Sequence, residues 1–303
     1  MSCSPGKIAG LTRVIVAMLH CKGLRRGQQD GHDRRGGPWG LAEAARPGQE
    51  GNAMHDTIRS DPNDTAASET GTAPERGRRR HVTSAATRIK IIEAAEKLFA
   101  DRGIDGVALR EIAAAAGQGN NTAVQYHFGT KEALVYAIFD YRTEMFEPLR
   151  AAMLDRAEEA GLLGDARTLL EIMCLPHLTI SDENGRHPYS AFLAQYLTRT
   201  RAEGIPHPYD DPEVPVPALR RVRRLIVERV NYVPPVELRL RVGLCKLMFL
   251  NMLMRRDSGF PHFDQGITLD ALVDDTMVQM TVALTAPYNH RHAPLFADMI
   301  KAD

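Results

Sequence analysis

The sequence predicts an all-α fold, and three observations predict it. Apolar residues recur at helical spacing almost without a break from Ser84 onward, and no stretch alternates apolar and polar residues as a half-buried strand would. Hydroxyl, carboxylate and glycine residues also stand where such helices must start and stop.

The elements follow in order. The first 78 residues hold half of the 24 glycines and one of the 18 aromatic residues, Trp39. A segment so poor in apolar surface cannot offset the entropy of ordering it, so residues 1–78 are expected to be a disordered extension. Within it, Met54 opens an ordinary polar leader, and a true start there would make residues 1–53 an artefact of the assigned start. The first helix carries Ile91, Ala94, Ala95, Leu98 and Phe99 on one stripe, with Thr83 or Ser84 as its cap and Gly103 past its end. A short helix from Ala108 to Ala116 turns Leu109, Ile112, Ala113 and Ala116 to one face and stops at Gly117. A third runs from about Asn121 to His127. Phe128-Gly129 then turns the chain, and Thr130 caps a longer fourth helix. Further helices are expected near 165–180, 188–203 and 216–231, then at Pro235–Arg256 and Thr268–Ala286.

Two short helices joined by a glycine-bearing turn and packed on a longer first helix make a helix-turn-helix. In that motif the second helix enters the major groove while the first braces it across the backbone. Its recognition helix must therefore turn small apolar residues inward and amide or hydroxyl side chains outward. Ala123 and Val124 suit the inner face, leaving Asn120, Asn121, Thr122 and Gln125 for base edges. Asn and Gln pair bidentately with adenine, which is why they suit this position. Tyr126, His127 and Lys131 follow as donors for phosphate oxygens. Formal net charge is zero, but six basic residues and no acidic one lie between Arg76 and Lys90, an electrostatic footprint fit for a phosphate backbone.

The run TRIKIIEAAEKLFADRGIDGVALREIAAAAG, continuing QGNNTAVQYHFGTKEALVYAIF, resembles the DNA-binding domain of the TetR (tetracycline-repressor-like) regulators over about Ser84 to Tyr141. Ala-Ala and Leu-Phe close helix one, Leu-Arg-Glu-Ile-Ala builds helix two, and Tyr-His-Phe-Gly-Thr-Lys joins helix three to helix four. The resemblance implies a homodimer in which an N-terminal three-helix helix-turn-helix domain, here residues 79–131, binds double-stranded operator DNA. A C-terminal helical domain, residues 132–303, would bind a small-molecule effector and dimerise. It further implies a transcriptional regulator, a repressor, rather than an enzyme, with no cofactor. Two departures stand out. Ala108 occupies a position where many members cap helix two with Thr or Ser, and the stretch GQGNNTAVQYHF is one residue longer than the commonest turn.

The two closing helices are the most apolar part of the chain, and Leu244, Leu247, Met248, Leu272, Met277 and Met280 are expected at a dimer interface, where two such pairs make a bundle. Phe146, Met173, Phe192 and Tyr196 are the candidates to line a cavity for an apolar or amphipathic ligand, opened by bends at Pro148 and Pro176.

Other chemistries lack their residues. Cys3, Cys21, Cys174 and Cys245 are scattered without metal-like spacing, and a reducing cytoplasm fits this usage. No apolar run approaches a membrane span. His290 and His292 lack a ligating neighbour, so no metal is expected, and Asp210-Asp211 and Asp274-Asp275 read as solvated charge. No nucleophile triad or phosphate-cradling loop has credible spacing. The competing reading is a helical-bundle enzyme or carrier for small molecules without a DNA-binding role.

Overall fold

The computed structural model describes residues 73–119, 122–201, 206–259 and 266–288, with side chains from Ser84 onward. The chain divides into two compact units, Met1–His81 and Val82–Asp303. What is described of the first is the opening of helix α1, which spans Ala73–Arg102. The second contains α2 (Leu109–Ala115), α3 (Ala123–Phe128), α4 (Lys131–Glu159), α5 (Ala166–Cys174), α6 (Pro188–Gln195), α7 (Pro217–Arg229), α8 (Pro235–Asp257) and α9 (Leu269–Thr285). Among the described residues there is no strand, so the fold is all-α.

Helix α1 starts ten residues before the expected cap, and Thr83 and Ser84 lie inside it. The local chemistry allows this: Pro74 fits a first helical turn, and the run that follows is rich in Ala, Glu and Arg, with Gly77 the main opposing residue. Further along, Ile91, Ile92, Ala95 and Phe99 are completely buried, and Ala94 and Leu98 pack against them in part.

Helix α4 is the spine. Thr130 Oγ1 accepts from Ala133 N at 3.1 Å as its cap, as the sequence leads one to expect. Its buried stripe runs through Leu134, Ile138, Phe146, Arg150, Met153 and Ala157. Pro148 stays inside the helix. Pro176, by contrast, sits in the first turn of the 3₁₀ segment Leu175–Thr179, so it ends α5 instead of bending it. Helix α6 likewise loosens into a π turn, Tyr196–Thr200.

One hydrophobic core runs from Ile91 through Ile112, Val124, Ile138, Phe139 and Phe192 to Leu250. Phe139 anchors its aromatic centre, with Tyr196 edge-on at 4.9 Å and Phe192 at 5.3 Å between ring centroids. A buried ion pair ties α1 to α4: Arg142 Nε and Nη2 donate to the two Glu96 carboxylate oxygens at 2.6 and 2.7 Å. Burial pushes the Glu96 carboxyl upward, and the bidentate guanidinium opposes that shift. Helices α8 and α9 pack on each other, and α9 also packs on α5. There Arg167 of α5 reaches Asp274 of α9, so Asp274 is paired rather than merely solvated. Asp210 is paired as well, with Arg201 at 2.7 Å.

Candidate nucleic-acid interface

The turn between α2 and α3 begins at Gly117, whose φ of 68° is the left-handed conformation that ends a helix. Gln118 N and Gly117 N donate to Ala113 O and Ala114 O at 2.9 and 3.0 Å, which satisfies the last carbonyls of α2. At the other end of α2 no side chain of residue 108 can cap. Glu111 Oε2 instead accepts from Ala108 N at 2.7 Å, while Arg102 Nη1 holds Oε1 at 2.8 Å. Those two donors keep the Glu111 carboxyl below the usual range. The sequence departure at Ala108 is thus met from within the helix.

Helix α3 turns Val124 and Phe128 into the core and leaves Gln125 and Tyr126 outside, Tyr126 with 83% of its surface open. Ala123 is half-buried and Thr122 exposed. The helix closes at Gly129, with φ of 72°, where Gly129 N donates to Gln125 O at 2.9 Å. Arg88 of α1 lies over the Phe128 ring at 5.1 Å and, like Lys90, remains exposed. His127 is half-buried, and desolvation followed by the Arg88 charge lowers its pKa, so near neutrality it brings a neutral donor to this surface. Lys131 Nζ donates to Ile104 O at 3.1 Å. This clamps the start of α4 to the α1–α2 loop and leaves an ammonium with further protons to donate. Asn120 and Asn121 lie outside the described residues.

Two helices joined by a glycine-stopped turn and braced on α1 form a helix-turn-helix. Residues 91–138 match the family model for bacterial regulatory proteins of the tetR family. Over this domain the chain is similar to the TetR family. The HTH-type transcriptional regulator TtgR of Pseudomonas putida is 39% identical over 84 residues, and ArpR of the same species matches equally. Each match spans 28% of this chain and 39% of the relative's length. A crystal structure assigned to a TetR-family transcriptional regulator of Mesorhizobium loti MAFF303099 aligns over 69% of this chain and 88% of its own. Its identity is 19% and its TM-score 0.18, too low to bear on the fold.

In the body, Phe146, Met173, Phe192 and Tyr196 are all buried. Phe192 and Tyr196 pack on Phe139, whereas Phe146 lies tilted against His177 at 5.0 Å and the Met173 carbonyl faces Arg150. At the closing helices the expected interface residues separate. Leu244 is 63% exposed, Leu247, Met248 and Leu272 are half-buried, and Met277 and Met280 are wholly enclosed by their own chain. Val236, Leu240, Val278 and Val282 are exposed beside them, and the sequence pointed to Leu240 on the apolar stripe of this helix but not to the three valines. Their signal was present as a second apolar stripe, Val236-Leu240-Leu244, four residues apart on α8. Cys174 and Cys245 are buried thiols. His290 and His292 lie outside the described residues, and among the described ones no cluster of metal-ligating side chains occurs. No described helix is long and apolar enough to cross a membrane.

Proposed function

We propose that the protein is a dimeric transcriptional regulator, a repressor, that binds operator DNA through residues 79–131 and senses a small molecule through residues 132–303. The observation that carries this reading is the build of α3. It is closed by the Gly129 turn, held down by Val124 and Phe128, and presents Gln125, Tyr126 and Thr122 outward. Thr122 and Gln125, with Asn120 and Asn121 just before them, are assigned to base edges. Tyr126, neutral His127, Lys131 and the Arg88–Lys90 segment are assigned to phosphates.

Dimerisation is assigned to the exposed stripes of α8 and α9. Val236, Leu240 and Leu244 are 58–63% open and Val278 and Val282 47–64%, apolar surface on adjoining helices that a lone protomer leaves in water. Met277 and Met280 back this face from beneath, and Leu247, Met248 and Leu272 border it. The effector is an apolar or amphipathic molecule held among Phe146, Met173, Phe192 and Tyr196. The protein acts by binding rather than catalysis, in the cytoplasm. A gel-shift titration with the DNA flanking the protein's own gene tests the proposal. Saturable binding that scrambled duplex does not compete away is expected, and equal affinity for both duplexes refutes it in favour of an enzyme or carrier.

A further inference from the structure

The interior of the body holds buried nitrogen groups that lack hydrogen-bond partners. Arg150 of α4 is 3% exposed and His177 of the 3₁₀ segment 1% exposed, yet Arg150 Nε and His177 Nε2 have no hydrogen-bond partner. They belong to one cluster. The Arg150 guanidinium lies over the Phe146 ring at 5.1 Å, and that ring lies 5.0 Å from His177. His177 is sandwiched further by Tyr189, nearly parallel at 5.5 Å, and by Phe249 edge-on at 6.4 Å. Only its Nδ1 is engaged, by Ser190 Oγ at 3.3 Å. Lys246 of α8, partly buried, completes the group, for its charge and that of Arg150 both act on His177 and on the Cys174 thiol.

Counter-charge is scarce. The carboxylate nearest Arg150 is Glu147, at a loose 3.5 Å, and it is already occupied. Its two oxygens accept from Ala218 N and Leu219 N at 2.8 and 3.2 Å, capping the start of α7. No carboxylate is paired with Lys246 among the described residues, and loss of water holds its pKa down at about 7. Buried polar groups are ordinarily satisfied, and buried charges ordinarily paired. A guanidinium edge and an imidazole nitrogen that share one aromatic-walled region and lack a partner, with a half-buried ammonium whose charge acts on the imidazole, are complementary to a planar anion with two oxygens.

We propose that the molecule bound by the body is a hydrophobic carboxylic acid, its carboxylate taken by Arg150, His177 and Lys246 and its apolar part by Phe146, Tyr189 and Phe249. This rests on reading the body as a ligand-binding domain, narrows the amphipathic effector to one headgroup chemistry, and moves its apolar lining from Phe192 and Tyr196 to the rings around His177. Both Arg150 and His177 are closed over, so the acid enters by opening the packing around Phe146. The headgroup then replaces water for the ammonium and supplies the acceptor that Arg150 Nε and His177 Nε2 lack.

The test uses full-length protein and matched pairs of probes: aliphatic and aryl-alkyl acids of six to twelve carbons, each beside its primary amide. Binding is read by calorimetry and by shift in Tm. The acids are expected to bind at least tenfold tighter than their amides, and Lys246→Met to weaken the acids tenfold while leaving the amides within twofold. Arg150→Met should do the same, and Lys246→Met carries the test should Arg150→Met fail to fold. No preference for acids across the panel, including no binding by either series, overturns the proposal, as does an acid affinity unchanged in Lys246→Met. DNA binding is titrated separately. Acid binding without DNA binding would sink the regulator and leave this site standing, whereas DNA binding without acid preference would do the reverse.

Discussion

The reading head and the body distribute polarity in opposite ways. On α3 the apolar Val124 and Phe128 face inward and Gln125 and Tyr126 face water, the usual arrangement of an amphipathic helix. The body reverses it in two places. Arg150 Nε and His177 Nε2 are buried without partners, with half-buried Lys246 acting on them electrostatically, while Val236, Leu240 and Leu244 stand in water. A lone protomer therefore has a self-sufficient head and a body with two kinds of unmet demand. One demand is apolar and outward, suited to a second copy. The other is cationic and inward, suited to an anion.

The largest effect should come from the link between α1 and α4, the Glu96–Arg142 pair. Each partner is buried, at 1% and 6% exposure, and removing either leaves an uncompensated charge in the core. Arg142→Met is expected to cost about 3–5 kcal/mol of stability, measured by denaturant unfolding. Glu96→Leu combined with Arg142→Met should recover most of that loss, because the isolated charge is gone. A double variant as unstable as the single one would mean that packing, and not charge, joins the two helices.

The outward demand is tested next. Leu240→Glu with Leu244→Glu alters only exposed surface, so the protomer should keep its Tm within the few tenths of a kcal/mol typical of surface changes. Its sedimentation at micromolar concentration should fall from twice 33.6 kDa to 33.6 kDa. A variant that stays dimeric would remove this face as the interface.

Within the head the contrast is between base and phosphate contacts. Gln125→Ala should weaken operator binding by about 1–3 kcal/mol and random duplex hardly at all. Lys131→Ala should weaken both alike and lower the salt dependence by about one unit of slope. Lys131 also donates to Ile104 O, so its melting temperature must be followed in parallel. If Gln125→Ala weakened both duplexes equally, α3 would be oriented differently from the assignment.

How far the residues announced these features depends on their spacing. Most helices from α2 to α9 were legible because they bury a stripe and are bounded by a cap, a glycine or a proline, as at Gly117, Thr130 and Pro217. The helices expected over 165–180 and 188–203, however, end earlier, at Cys174 and Gln195, in 3₁₀ and π turns. The start of α1 was not legible, since a basic stretch with helix-forming residues has no apolar period to reveal it. On α8 two apolar stripes share one helix, and periodicity alone cannot say which faces inward. Leu244 and Met280 therefore looked equivalent although one is 63% open and the other enclosed. The buried polar cluster was the least legible. Arg150, His177 and Lys246 come from three elements, and each looks like a stray polar residue in an apolar run until α4, the 3₁₀ segment and α8 are brought together.

The smallest effect is a pH slope that belongs to the body alone. Lys246 titrates at about 7 in the folded chain against an ordinary 10.5, chiefly because burial removes water from its ammonium. Between those values the unfolded chain holds more protons than the folded one, so raising pH stabilises the fold across that window. Below about 7 both forms are protonated and this contribution is flat. The Cys174 and Cys245 thiols are shifted up to about 11 from 9.0, and above pH 9 they act in the opposite sense, because the folded chain then keeps protons that the unfolded one releases. The comparison therefore belongs between pH 7 and 8.5. Stability of the parent chain, from urea unfolding, should rise there relative to Lys246→Met by less than the ceiling of about 1.4 kcal/mol per pH unit. It stays below the ceiling because Lys246 is only partly buried and water offsets part of the shift. A bound carboxylate should abolish the rise by restoring the ammonium's charge. Parallel pH profiles for parent and Lys246→Met would mean that the lysine reaches water and that the body's interior is less cationic than its geometry indicates.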